Sequence, residues 1–281
     1  MTQLEIAALV LIAAVLHAGW NALVKAGQDR VLTMALVTAV GSLGAALAVP
    51  FVAAPVPASW PFLLLSGLLH VGYFTFLLEA YRVGELSHIY PVARGTAPLL
   101  VAVGAAVFAG EPLGLRQIAG LGLVSVAISS FALERGWSGG LSRSFLFGLG
   151  TAVFIGAYTV VDGLGVRLSG HPLGYILWLF VIDGVPLGLY TLATRRARIL
   201  PYFRAHWQAS LAGGVMCATA YGLVVFALGL GAMAYVSALR ETGVIFAAVI
   251  GSALLRESFG RRRVLAATLV AAGIIIMNLP G

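Results

Sequence analysis

The sequence predicts an all-α integral membrane protein of ten transmembrane helices, arranged as two inverted five-helix repeats. Three observations predict it. Of 281 residues, 60% are hydrophobic and only 10% charged, where a soluble domain carries about 25% charged residues. The apolar residues gather into continuous runs long enough to cross a bilayer as helices, not into the short alternating segments of a barrel. The second half of the chain also echoes the first.

The runs fall near 4–25, 31–53, 61–82, 86–109, 114–133, 145–166, 172–193, 206–230, 234–255 and 261–279. Residues 1–24 hold no Lys or Arg, so the first run lacks the positive start of a cleavable signal and reads as a retained helix. Charged or Gly/Pro-rich breaks separate the runs: GQDR, PVPASWP, RVGE, GEPLG, ERGWSGGLSR, RLSGHP, RRARILPYFR, LGLGAM and RESFGR. The Gly/Ser-rich stretch 135–144 joins a first repeat, 1–134, to a second, 145–281.

The repeat is visible residue by residue. Glu111 falls on Glu257, Gly114 on Gly260, Arg116 on Arg262, Arg94 on Arg240 and Thr96 on Thr242, each 146 positions apart. Trp60 meets Trp207 and Gly84 meets Gly231 at 147. Five is odd, so consecutive copies enter the membrane from opposite sides. Inverted repeats of this kind mark secondary transporters.

The duplicated hinge, GEPLGLR before one closing helix and RESFGRR before the other, resembles the drug/metabolite transporter superfamily, EamA type, over nearly the whole chain. That resemblance implies secondary transport of small metabolites or drugs, often export, through a cavity between the halves. It implies no enzymatic activity and no particular solute, and it implies both termini inside. The basic residues point the other way. Of 17 Lys and Arg, 13 fall in the odd-numbered loops and two, Arg116 and Arg167, in the even-numbered ones. The positive-inside rule then puts both termini outside the cytoplasmic membrane.

Candidate site residues are the charges a bilayer would not tolerate idly. An arginine at a helix centre costs about 2.5–3.5 kcal/mol on insertion scales, so it faces a wet cavity, the bundle interior or an acid. Arg94 sits between Pro91 and Pro98, each of which frees a backbone carbonyl. The fourth helix therefore reads as kinked, with Tyr90, Arg94 and Thr96 around the kink. Its repeat mate offers Arg240, Glu241 and Thr242. The two arginines either meet a substrate or form a structural ion pair with Glu241 or Glu79.

His17, Asn21 and Lys25 recur every four residues on one face, with Trp20 beside them at the cavity entrance. Lys25 alone snorkels to the interface. His70 and Tyr73 share a face of the third helix, and Tyr158 and Asp162 a face of the sixth. His17, Glu79, Asp162 and Asp183 are the proton-coupling candidates, with a proton as the candidate coupling ion. Trp60 and Trp207 read as interface anchors, and Glu111 as a partner for a helix N-terminus.

The chain holds 35 glycines, which suit close helix packing in lipid. Gly243, Ala247 and Gly251 form a small-residue ridge, read as packing within the monomer before a homodimer face. The single cysteine, Cys217, permits no internal disulfide and reads as a small core residue. HExxH, GxSxG and P-loop signatures are absent, so no catalytic residue, cofactor, metal site or nucleic-acid partner is expected. The expected partners are a small-molecule substrate and the lipid bilayer. Two cavity arginines favour an anionic or zwitterionic solute. The competing readings are a lipid-carrier flippase and a non-transporting scaffold or sensor.

Overall fold

The computed structural model describes residues 1–83, 86–130, 143–246, 249 and 261–278. Among them there is no strand. The elements are α1 (Gln3–Ala26), α2 (Arg30–Ala48), α3 (Trp60–Val83), α4 (Leu86–Phe108), α5 (Leu115–Ser129), α6 (Arg143–Leu168), α7 (Pro172–Leu230), α8 (Met233–Arg240) and α9 (Arg261–Asn278), with 3₁₀ turns at Val49–Phe51 and Pro57–Ser59. Five described helical segments are long and apolar enough to cross a membrane: Gln3–Ala26, Arg30–Phe51, Pro57–Leu77, Phe145–Leu168 and Pro172–Leu230. Val92–Phe108, Leu115–Ser129 and Leu265–Met277 are shorter apolar stretches.

Local signals set the helix ends. Thr2 and Glu5 close a capping box on α1, and Gly27 ends it. Asp29 caps α2, its Oδ1 accepting from the Val31 and Leu32 N–H groups at 3.1 and 3.2 Å.

Two expectations change. The run RRARILPYFR was expected to be a loop, but helical structure continues through it. Arg, Ala and Leu are good helix formers, and only Arg195 (φ −137°) and His206 (φ −131°) leave helical geometry. At these points α7 doubles back. Arg167, just before α7 begins, donates to the carbonyls of Leu228 (2.9 Å) and Gly231 (2.7 Å) where α7 ends, so the two ends adjoin. The element is a helical hairpin with two membrane-length limbs.

The fourth helix was expected to be kinked at its prolines. α4 runs unbroken through Pro91 and Pro98, and a break falls in its repeat mate. There α8 stops at Arg240, and i→i+3 bonds take over: Glu241 N–H to Ala238 O (3.1 Å), Thr242 N–H to Leu239 O (3.0 Å) and Val244 N–H to Glu241 O (3.0 Å). Such tightened turns replace the α ladder at helix ends.

Around this break the helices pack in pairs: α2 and α1 along α7, α3 and α4 on α6, α9 on α5. All eight residues of α8 are buried, making it the axis of the main core cluster, with Val10, Val101, Leu121, Val160 and Leu228 around it. Many of the described glycines act by close approach, as expected. A Cβ on Gly120 would collide with the Gly273 carbonyl, and one on Gly273 would lie 2.6 Å from the Gly120 carbonyl. Of the Gly243, Ala247 and Gly251 ridge, only Gly243 lies within the described residues. It packs against Ala14 of α1, within the chain.

Gly120→Val should lower stability by about 1–3 kcal/mol through overpacking at the α5–α9 crossing. Gly122→Val, where nothing lies within 4 Å, should cost far less. Thermal melting of the detergent-purified variants by size-exclusion chromatography checks both.

Candidate functional site

The site begins at the α8 break. Arg240 occupies the last turn of α8, where the exposed carbonyl ends favour a cation. Glu241 follows in the 3₁₀ turn, 1% exposed. Gly243 lets that turn lie against the α1 backbone at Ala14. Across from it, α4 presents Arg94, 4% exposed, whose Nε lies 2.9 Å from Glu241 Oε2. One arginine is thus neutralised by an acid from the other half of the chain.

Arg240 is held differently. Its Nη2 donates to Tyr158 Oη at 3.5 Å, and its guanidinium lies over the Tyr221 ring, 5.4 Å from the centroid. Among the described residues, no carboxylate lies at ion-pair distance from it. Its direct contacts are a long hydrogen bond and a ring face, while neighbouring Glu241, paired with Arg94, acts on it through its field rather than by contact.

Aromatic rings connect Arg240 to the buried acids. Tyr221 Oη donates to Asp162 Oδ2 at 2.5 Å, and Tyr175 Oη to Oδ1 at 3.3 Å, so both carboxylate oxygens of fully buried Asp162 are satisfied. His70 stacks on Tyr158 with centroids 4.1 Å apart and meets the edges of Tyr73 and Tyr221. Its Nδ1 lies 2.9 Å from the Ser66 carbonyl and 3.5 Å from Asp183 Oδ2. Asp183 Oδ1 is buried and has no hydrogen-bond partner among the described residues.

On α1, His17 meets Trp20 edge-on at 5.1 Å and lies in the field of both Arg94 and Arg240. Asn21 turns its amide back to the His17 carbonyl, 2.7 Å away. Trp20 is 7% exposed, and its Nε1–H finds no acceptor among the described residues.

The structure therefore brings together Arg94, Arg240, Glu241, Tyr158, His70, Tyr73, Asp162 and Asp183, with His17 and Trp20 beside them. Thr96 is half-buried on α4, about 200° around the helix from Arg94. Glu79 is half-buried near the end of α3. The Tyr90 side chain lies outside the described residues, as does Glu257. Sequence reasoning missed Tyr221, the ring that joins Arg240 to Asp162, and Tyr175. For Tyr221 the signal was available, a tyrosine in the middle of an apolar run, away from the interface where tyrosines ordinarily sit; Tyr175, in the first turn of α7, carried none. Among the described residues, no group of three metal-ligating side chains occurs.

A polytopic helical membrane protein with a charged, tyrosine-lined centre at a broken helix has the build of a membrane transporter. The chain belongs to the EamA-like transporter family, whose model matches residues 5–132 and 142–279. That family lies within the drug/metabolite transporter superfamily. In fold the chain is similar to a solved structure titled only as the crystal structure of a protein. The TM-score is 0.76 at 17% identity, covering 98% of this chain and 95% of that one. No curated protein matches the chain.

The ion pair yields a stability test. Arg94→Met should destabilise the protein by about 3–5 kcal/mol, because it strands Glu241 without its cation. Arg94→Met combined with Glu241→Met should regain most of that loss. Melting temperatures of the single and double variants measure the recovery.

Proposed function

We propose that this protein is a secondary active transporter of ten membrane crossings in two inverted repeats, exporting a small anionic or zwitterionic metabolite across the cytoplasmic membrane by alternating access. The observation that carries the reading is Arg240: a buried guanidinium at a helix break, ringed by tyrosines and with no carboxylate at ion-pair distance among the described residues. The buried Trp20 Nε1–H, without an acceptor among the described residues, adds a second donor. A substrate carboxylate or phosphate would answer both. Arg94, closed by Glu241, plays a structural part, which narrows the expectation that both arginines bind the solute.

The two matched segments of the family model and the hairpin of α7 support the count of ten and the repeat. The basic bias of the odd-numbered loops supports termini on the outer face. A proton is the proposed coupling ion, with Asp183 and its neighbour His70 as its carriers, because one buried oxygen of Asp183 has no hydrogen bond among the described residues.

The test is counterflow into proteoliposomes with pooled anionic, zwitterionic, neutral and cationic metabolites. Arg240→Gln should weaken uptake of anionic or zwitterionic solutes about 10- to 100-fold, the worth of a charged hydrogen bond, with little change in melting temperature. Uptake confined to cations, or unchanged by the substitution, contradicts the reading. Asp183→Asn should abolish the response of uptake to an imposed pH gradient while leaving equilibrium exchange in place. A gradient response that survives the substitution removes Asp183 from the coupling path.

A further inference from the structure

Each end of the bundle carries a polar clasp that ties one half of the chain to the other. At the end where α7 turns, Asp29 of the first half lies between two arginines of the second. Its Oδ2 is 2.7 Å from Arg195 Nη1 and 3.5 Å from Arg198 Nη1. The Asp29 N–H donates to Tyr202 Oη at 3.2 Å, and that hydroxyl lies 2.8 Å from Thr33 Oγ1. Arg195 is itself one of the two non-helical residues of α7, so the clasp closes on a hinge.

At the opposite end, about 33 Å away along a limb of α7, Glu111 of the first half meets Arg167 of the second at 2.5 Å. Arg167 also holds the Leu228 and Gly231 carbonyls. The second oxygen of Glu111 accepts from the Met233 N–H at 2.8 Å. Glu111 thus engages a helix N-terminus as expected, but that of α8 from the other half, not that of the adjacent α5. Beside it, the Val56 N–H donates to the Ser169 carbonyl at 3.0 Å, a neutral link between the halves.

One rod joins this second clasp to the site. α8 starts at Met233, under Glu111, and ends at Arg240. It is two turns of buried helix, so a pull on Arg240 is felt at Glu111.

We propose that the Asp29–Arg195–Arg198 and Glu111–Arg167 clasps are the two gates of the transport cycle, each closing one end of the interior, and that the described conformation has both closed. The inference rests on the alternating-access reading. It adds that the Glu111 gate answers to substrate through α8, while the Asp29 gate opens by the α7 hinge.

The chain supplies its own reporter. Cys217 is its one cysteine. It is half-buried, one helical turn before Tyr221, and lies in the field of Arg240. A membrane-impermeant maleimide, applied to right-side-out or to inside-out vesicles, reads access to it from each side.

Wild-type protein should label slowly from both sides. Asp29→Asn keeps the cap on α2, since Asn caps as well as Asp, but removes the ion pairs. It should raise labelling about two- to fivefold, the range of a partly exposed pair, from the side facing the α7 turn only. Arg198→Gln should do the same more weakly, its contact being longer. Glu111→Gln keeps an acceptor for Met233 and should raise labelling from the opposite side only. Equal increases from both sides, or no increase in any variant, would overturn the gates. Gel filtration of each labelled variant separates a gate effect from unfolding, and Arg195→Gln replaces Asp29→Asn if that variant misfolds. Labelling needs no substrate, so a protein that carries none of the tested solutes still tests the clasps.

Discussion

The structure depends on one constraint: a helix that ends in the middle of the bundle. Stopping α8 at Arg240 leaves carbonyl ends and a charged turn where lipid and packed side chains offer no water. A buried unpaired charge at that depth would cost several kcal/mol. Glu241 and Arg94 meet that demand by pairing across the two halves, and the α8 terminus favours the cation of Arg240. The main core cluster then forms around α8, because a rod whose every residue is buried requires neighbours on all sides. Glu111 caps its start from the other half of the chain. The connection between halves is therefore made through α8 at both of its ends.

Two arginines that look alike in sequence have different roles because their neighbours differ. Arg94 faces an acid at 2.9 Å. Arg240 faces tyrosines, whose rings and hydroxyls steady a guanidinium without neutralising it. The nearby acid, Asp162, spends both oxygens on tyrosine donors and so is not drawn to Arg240. The tyrosines separate positive from negative inside the same cluster. On the proposed reading, that separation leaves Arg240 as the cationic anchor for the solute.

Much of this was legible in the sequence. Apolar runs and their breaks gave the helices, because hydropathy over a bilayer thickness is a strong signal. The intramembrane Arg, Asp and His pointed to the buried polar cluster, because such charges are too costly to stand alone in a bilayer. The partners were not legible. Glu241 precedes Thr242 on a short turn, and its choice of Arg94 over Arg240 depends on how that turn packs on Ala14. A kink was expected at Pro91 and Pro98, where α4 stays unbroken, and the break itself occurs at a turn without proline. Proline lowers the cost of a break without imposing one, and an α4 packed on α5 and α6 keeps its helix. The helical linker of α7 was hidden because its arginines read as loop charges while also being good helix formers.

The most direct test of the central claim is ligand-induced thermal stabilisation of the purified protein, comparing wild type with Arg240→Gln across small carboxylates, phosphates, zwitterions and amines. The account predicts that at least one anionic or zwitterionic compound raises the melting temperature of the wild type and leaves that of Arg240→Gln unchanged. Stabilisation of both proteins by the same compounds, or stabilisation by amines alone, would contradict it.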